Sequence, residues 1–172
     1  MAKPERRSMT GHQMLGVLVL CGSVCGGSTA GASGCEASSM DETVRRVLLL
    51  LPRQPACVAV VDPDREAPAL AEHMRQFDAF TYPGNPTIYV RRHSPVYDQA
   101  AEGSRFYQCA LAAIIWHEMA HLSGANEHEA QRQEEGLWLQ FMRDDRIGFG
   151  EGHAYLDQLR RRRCAASVTA GG

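Results

Sequence analysis

The chain has 172 residues, 18 basic and 20 acidic side chains, a net charge of −2 and 44% hydrophobic residues, which suits one domain of ordinary size with a real core. Its only lysine is Lys3, and from residue 33 onward acids outnumber arginines, so neither a nucleic-acid-binding stripe nor a polybasic membrane patch is implied. Arg160 to Arg163 are four arginines in a row; on a helix they point all round, as a solvated terminal turn does.

The first segment carries Lys3, Arg6 and Arg7, then the apolar stretch Met14 to Leu20, then a Gly/Ser/Ala-rich run reaching Ala30-Gly31-Ala32. That order predicts a secretory signal peptide over residues 1–32, cleaved after Ala32, and a single domain over 33–172. The apolar stretch is far shorter than the ~20 residues of a spanning helix. The expectation is therefore a secreted or periplasmic protein with no membrane span in its mature form, with lipidation of Cys35 as the alternative. Beyond residue 32 the cysteines are Cys35, Cys57, Cys109 and Cys164, which predicts two disulfides in an exported chain with connectivity left open. They contain no C-x-x-C pair, which argues against a zinc-thiolate site.

Ser39 followed by Glu42 forms a capping box ahead of Val44, Val47, Leu48 and Leu51, predicting a helix from about Met40 to Leu51 that stops at Pro52. Ala56 to Val61 reads as a buried strand, and Pro68 as the first turn of a helix reaching Phe77. Pro83-Gly84-Asn85-Pro86 is a turn, and Thr87 to Val90 a second strand. From Ser104 to Leu122 there is no proline or glycine, and this is the strongest helix; Gly124 ends it. Asn126 caps a further helix carrying Leu137, Trp138, Phe141 and Met142. After Gly148 and Gly150 a terminal helix runs from Glu151 to about Arg162.

Within the strongest helix lies His117-Glu118-Met119-Ala120-His121. Residues i and i+4 share a face, so both imidazoles reach one ion while Glu118 addresses a water beside it. Zinc suits such a pair because it takes three protein ligands and keeps a fourth position open. Ala113 and Ile114 precede His117 on that face, so the histidines continue an apolar stripe inward. For the third ligand the residues offer Glu127, His128, Glu129, Glu134 and Glu135. His128 points about 100° away from Glu127 on a helix, Glu129 reads as a capping residue, and Glu134 and Glu135 as solvated positions.

The H-E-x-x-H helix with its turn glycine resembles the zincin metallopeptidases over about 35 residues. His117 through Gly124 to Glu127 is similar to the metzincin ligand run, with Glu in place of its third His. Glu127-His128-Glu129-Ala130 resembles the E-x-x-A run of gluzincins. Both resemblances imply Glu127 as the third ligand. The chain departs from both branches: Met142 sits in no recognisable Met-turn, and there is no long insertion before Glu127. The resemblance implies an α+β fold, a small zincin-like domain whose few-stranded sheet packs on the active-site helix, with Thr87 to Val90 along the cleft beside an extended peptide or protein substrate. It implies a zinc metallopeptidase with Glu118 as general base, and an oxyanion-stabilising His or Tyr, for which His153 and Tyr155 are the candidates with Tyr89 behind them. The rivals are a non-catalytic zinc-stabilised binding module and a metal-dependent amidase; a purely structural site would not need Glu118.

Overall fold

The computed structural model describes residues 40–169, with side chains to residue 161. The expected signal segment, its cleavage point and Cys35 lie outside the described residues. The elements are α1 (Glu42–Leu48), β1 (Cys57–Val61), a 3-10 turn (Pro63–Arg65), α2 (Pro68–Met74), β2 (Ala79–Thr81), β3 (Thr87–Arg91), α3 (Pro95–Ala101), α4 (Arg105–Leu122), α5 (Glu127–Arg143) and α6 (Phe149–Thr169). The class is α+β, as expected. Among the described residues no helix is long and apolar enough to cross a membrane.

The sheet has the order β1-β3-β2. β1 runs parallel to β3, from Cys57 opposite Thr87 to Val61 opposite Arg91, and β2 runs antiparallel to it, from Ala79 opposite Val90 to Thr81 opposite Ile88. The strand expected along the cleft, Thr87 to Val90, is therefore central and hydrogen-bonded on both sides, with no edge left for a substrate. β2, a strand too short to show alternation in the sequence, forms one edge of the sheet instead. Ile88 and Val90 are fully buried, which fixes the register, since a one-residue slip would turn both outward.

The first helix begins later than expected. Its cap is Asp41, whose Oδ1 accepts from the Thr43 and Val44 amides at 2.9 and 3.3 Å; a carboxylate there also complements the helix dipole. The second oxygen of Asp41 accepts from the Tyr97 hydroxyl at 2.8 Å and meets Arg92 at 3.3 Å, tying α1 to α3. α3 itself was legible in Ser94-Pro95 but is absent from the sequence expectation: the Ser94 hydroxyl caps the Tyr97 amide at 3.1 Å, with Pro95 in the first turn.

α4 is the axis of the domain. Every side chain from Cys109 to Ile115 is buried, because α5, α3, α1 and the sheet all pack around it. Burial of an Ile or Leu there contributes about 1.5–3 kcal/mol. Cys109 is a free, fully buried thiol, so it forms neither of the expected disulfides: at mid-helix it faces the core, where it acts as a small apolar residue. Cys57 is buried at the start of β1, while Cys35 and the side chain of Cys164 lie outside the described residues.

α6 starts at Phe149, so Gly150 lies inside it and does not precede it, and Gly152 lies inside it as expected. A Cβ on Gly152 would stand 2.6 Å from Met142 Cγ. The missing side chain lets α6 approach α5 closely enough for Trp138 Nε1 to donate to Gly152 O at 2.9 Å.

Candidate metal centre

The end of α4 and the start of α5 are joined by a turn that the sequence dictates. Gly124 adopts φ 88°, a conformation that costs other L-residues about 1–2 kcal/mol. The Gly124 amide donates to His121 O at 2.9 Å and the Ala125 amide to Ala120 O at 3.0 Å, which is the Schellman closure. The Asn126 side chain then caps α5 by accepting from the Glu129 amide at 3.0 Å. The reversal brings Glu127, the first residue of α5, back over the last turn of α4.

His117 Nε2 and His121 Nε2 lie 3.0 Å apart. Glu127 Oε2 is 3.5 Å from the first and 3.2 Å from the second. A tetrahedral ion with bonds of about 2.0–2.1 Å separates its ligands by roughly 3.3 Å. The three atoms thus form one face of a tetrahedron of zinc-like size.

The protons point to the same conclusion. His121 Nδ1 lies 3.0 Å from Ala125 O, an atom that can only accept, so the proton of the neutral ring is on Nδ1. His117 Nδ1 lies 3.0 Å from Glu134 Oε2, and the carboxylate places that ring's proton on Nδ1 likewise. Both Nε2 atoms then present lone pairs to each other. With both rings neutral, the buried Glu127 Oε2 accepts no hydrogen bond, while Gln131 holds the other oxygen, Oε1, at 2.6 Å. Two nitrogen lone pairs and an orphaned carboxylate oxygen at this spacing repel unless a cation lies between them. These residues fit a divalent metal.

Charge tells the same story. Burial alone would lower the His117 pKa, but the carboxylates of Glu127 and Glu134 beside it outweigh burial and push it up to about 10. His121 is also raised, by Glu127 first. The two imidazoles hold the Glu127 carboxyl well below the usual carboxylate range. The cluster demands positive charge, and a proton meets that demand where a metal does not.

Each candidate ligand has its own support: Glu134 behind His117, the Ala125 carbonyl behind His121 and Gln131 behind Glu127. Such outer contacts orient metal-binding side chains and raise their basicity. Glu134 was expected to be solvated, yet it is 5% exposed. It lies seven residues after Glu127, so Glu127, Ala130, Gln131 and Glu134 form one face of α5 turned onto α4; counting from Glu127 by helical spacing would have found it. Glu135, also expected in solvent, is paired with Arg160 at 2.7 Å. His128 and Glu129 are exposed, and among the described residues neither joins the cluster that could hold a metal.

Glu118 is 8% exposed and faces the sheet, where Thr81 Oγ1 donates to its Oε2 at 3.1 Å. Burial pushes its pKa up, with the two histidines and the Thr81 bond acting against that. Of the oxyanion candidates, Tyr155 donates its hydroxyl to Glu134 Oε1 at 2.8 Å, on the carboxylate that meets His117 Nδ1 through its other oxygen. His153 is exposed and stacks on Phe149. The Tyr89 oxygen accepts from Asn85 at 2.8 Å.

Compared with protein-family models, curated proteins and solved structures, the chain gives no match.

Proposed function

We propose that the protein is a zinc-dependent metallopeptidase of the zincin type, exported by its N-terminal segment, with His117, His121 and Glu127 as ligands and Glu118 as general base. The observation that carries this reading is the convergence of three lone-pair atoms at tetrahedral spacing beside a buried carboxylate. A zinc ion would supply Lewis acidity there, acidifying a water and polarising the carbonyl of a bound peptide. Glu118 takes the proton: Thr81 occupies Oε2 and leaves Oε1 to accept it, and a buried carboxyl with a raised pKa can return it to the departing amine.

β2 supplies the substrate surface in this reading. Among the described residues no strand pairs its outer edge, and Thr81 binds Glu118 directly. An extended peptide adding to that edge would run past the base, its main chain hydrogen-bonded and its side chains alternating in and out. The buried Glu118 and its Thr81 partner favour catalysis over a zinc-stabilised binding module, because a structural site gains nothing from them.

Cleavage of a peptide library by the purified protein tests the proposal. Hydrolysis should vanish with a chelator, return with zinc, and fall by roughly 10²–10⁴ in Glu118→Gln while zinc is retained. Chelator-resistant cleavage, or an unimpaired Glu118→Gln, would overturn it.

A further inference from the structure

Glu134 divides its two oxygens between different helices. Oε2 accepts from His117 Nδ1 on α4 at 3.0 Å, and Oε1 accepts from the Tyr155 hydroxyl on α6 at 2.8 Å. Tyr155 has little freedom of its own. Its ring stacks on Trp138 with centroids 4.0 Å apart and planes at 25°, and Phe106 of α4 meets it edge-on at 6.3 Å. Trp138 is in turn fixed to α6 by its bond to Gly152 O.

We propose that Tyr155 and Glu134 are positioning residues for the metal centre and that they tie zinc affinity to the seating of the terminal helix α6. The inference rests on the metal reading above. A carboxylate held at one oxygen by a hydroxyl cannot rotate, so its second oxygen keeps the His117 proton on Nδ1 and turns Nε2 toward Glu127 and His121. Its negative charge also makes Nε2 a stronger donor to a cation. Without the hydroxyl, the carboxylate is free to swing and the ring loses its fixed tautomer. Because binding free energies are reciprocal, whatever α6 contributes to zinc affinity, zinc returns to the docking of α6.

Zinc affinity measured by chelator competition on the full chain, with amide exchange recorded with and without zinc, tests this. Glu134→Ala should bind zinc about 10–100-fold more weakly, and Tyr155→Phe, which removes one oxygen and keeps the stacked ring, should lose a smaller factor in the same direction. Zinc should slow amide exchange in α6 of the wild type, and less so in Tyr155→Phe. Glu134→Gln keeps size and an acceptor and covers the case in which Glu134→Ala fails to fold; it too should weaken zinc binding. Folded variants that bind zinc as tightly as the wild type would overturn the inference alone. So would a Tyr155→Phe that is less stable by the same amount with and without zinc, since that marks a packing role. A wild-type protein that takes up no zinc would overturn the metal reading and this inference together.

Discussion

Glu127 Oε2 lies 3.2 Å from His121 Nε2, and with the ring neutral no proton stands between them, because it is on the other nitrogen, committed to the Ala125 carbonyl. A carboxylate and a neutral imidazole so placed are disposed as a pair of metal ligands, and the same holds for His117; without a metal, the raised His117 pKa puts a proton there instead. This geometry fits the end of α4 to hold a divalent metal.

Zinc binding should release protons and strengthen with pH. In the metal-free protein the His117 pKa is raised to about 10 and His121 is raised as well, so zinc must displace at least one proton at neutral pH. The affinity should rise roughly tenfold per pH unit for each proton displaced. Stability carries the matching sign: a raised histidine stabilises the metal-free fold fully below its unfolded value of about 6.5 and loses that contribution as pH rises through about 10. Zinc's stabilising effect should therefore grow over that window. Chelator competition between pH 6 and 8 checks the first statement; a flat affinity would contradict it.

Thr81→Val should leave zinc content unchanged and alter Glu118. The Thr81 hydroxyl opposes the effect of burial on that carboxyl, so its loss should raise the Glu118 pKa further and move the acid limb of the pH–rate profile to higher pH. A profile that does not move would show that Thr81 has no hold on the base.

Gly124→Ala should destabilise the domain by about 1–2 kcal/mol, the cost of a Cβ in the left-handed region. It should also weaken zinc binding, because the turn places both the Ala125 carbonyl and Glu127. Denaturant unfolding and metal titration read the two effects; unchanged stability would mean that the turn relaxes without cost.

Cys109 should resist thiol reagents in the native protein and react without reductant once the chain is unfolded. Mass mapping after labelling identifies it. Rapid labelling in the native state, or no labelling after unfolding, would contradict a free buried thiol.

Much of the site was legible because it is local. His117 and His121 share a helix face by spacing alone, Gly124 announces the reversal, and Asn126 the next helix, so Glu127 followed within eleven residues. What was not legible came from elements packed against that face. Thr81 belongs to a three-residue strand with no periodicity of its own, and its bond to Glu118 spans 37 positions. Glu134 reads as one acid among several until α6 is known to cover it. Tyr155 reads as an apolar-face residue or an oxyanion donor until its hydroxyl is seen against Glu134. The fold followed the same division: α4, α5, β1 and β3 could be read in outline, whereas the strand order, which moved the open edge from β3 to β2, depends on pairing that no short segment encodes.

The most direct measurement is the zinc content of the purified chain after dialysis against buffer without metal, set beside that of Glu127→Ala. The wild type should hold one zinc per chain, and Glu127→Ala should lose most of it, since two imidazoles alone bind the ion far more weakly. A wild-type protein without stoichiometric zinc, or a Glu127→Ala variant that keeps it while His128→Ala or Glu129→Ala does not, would contradict the centre described here.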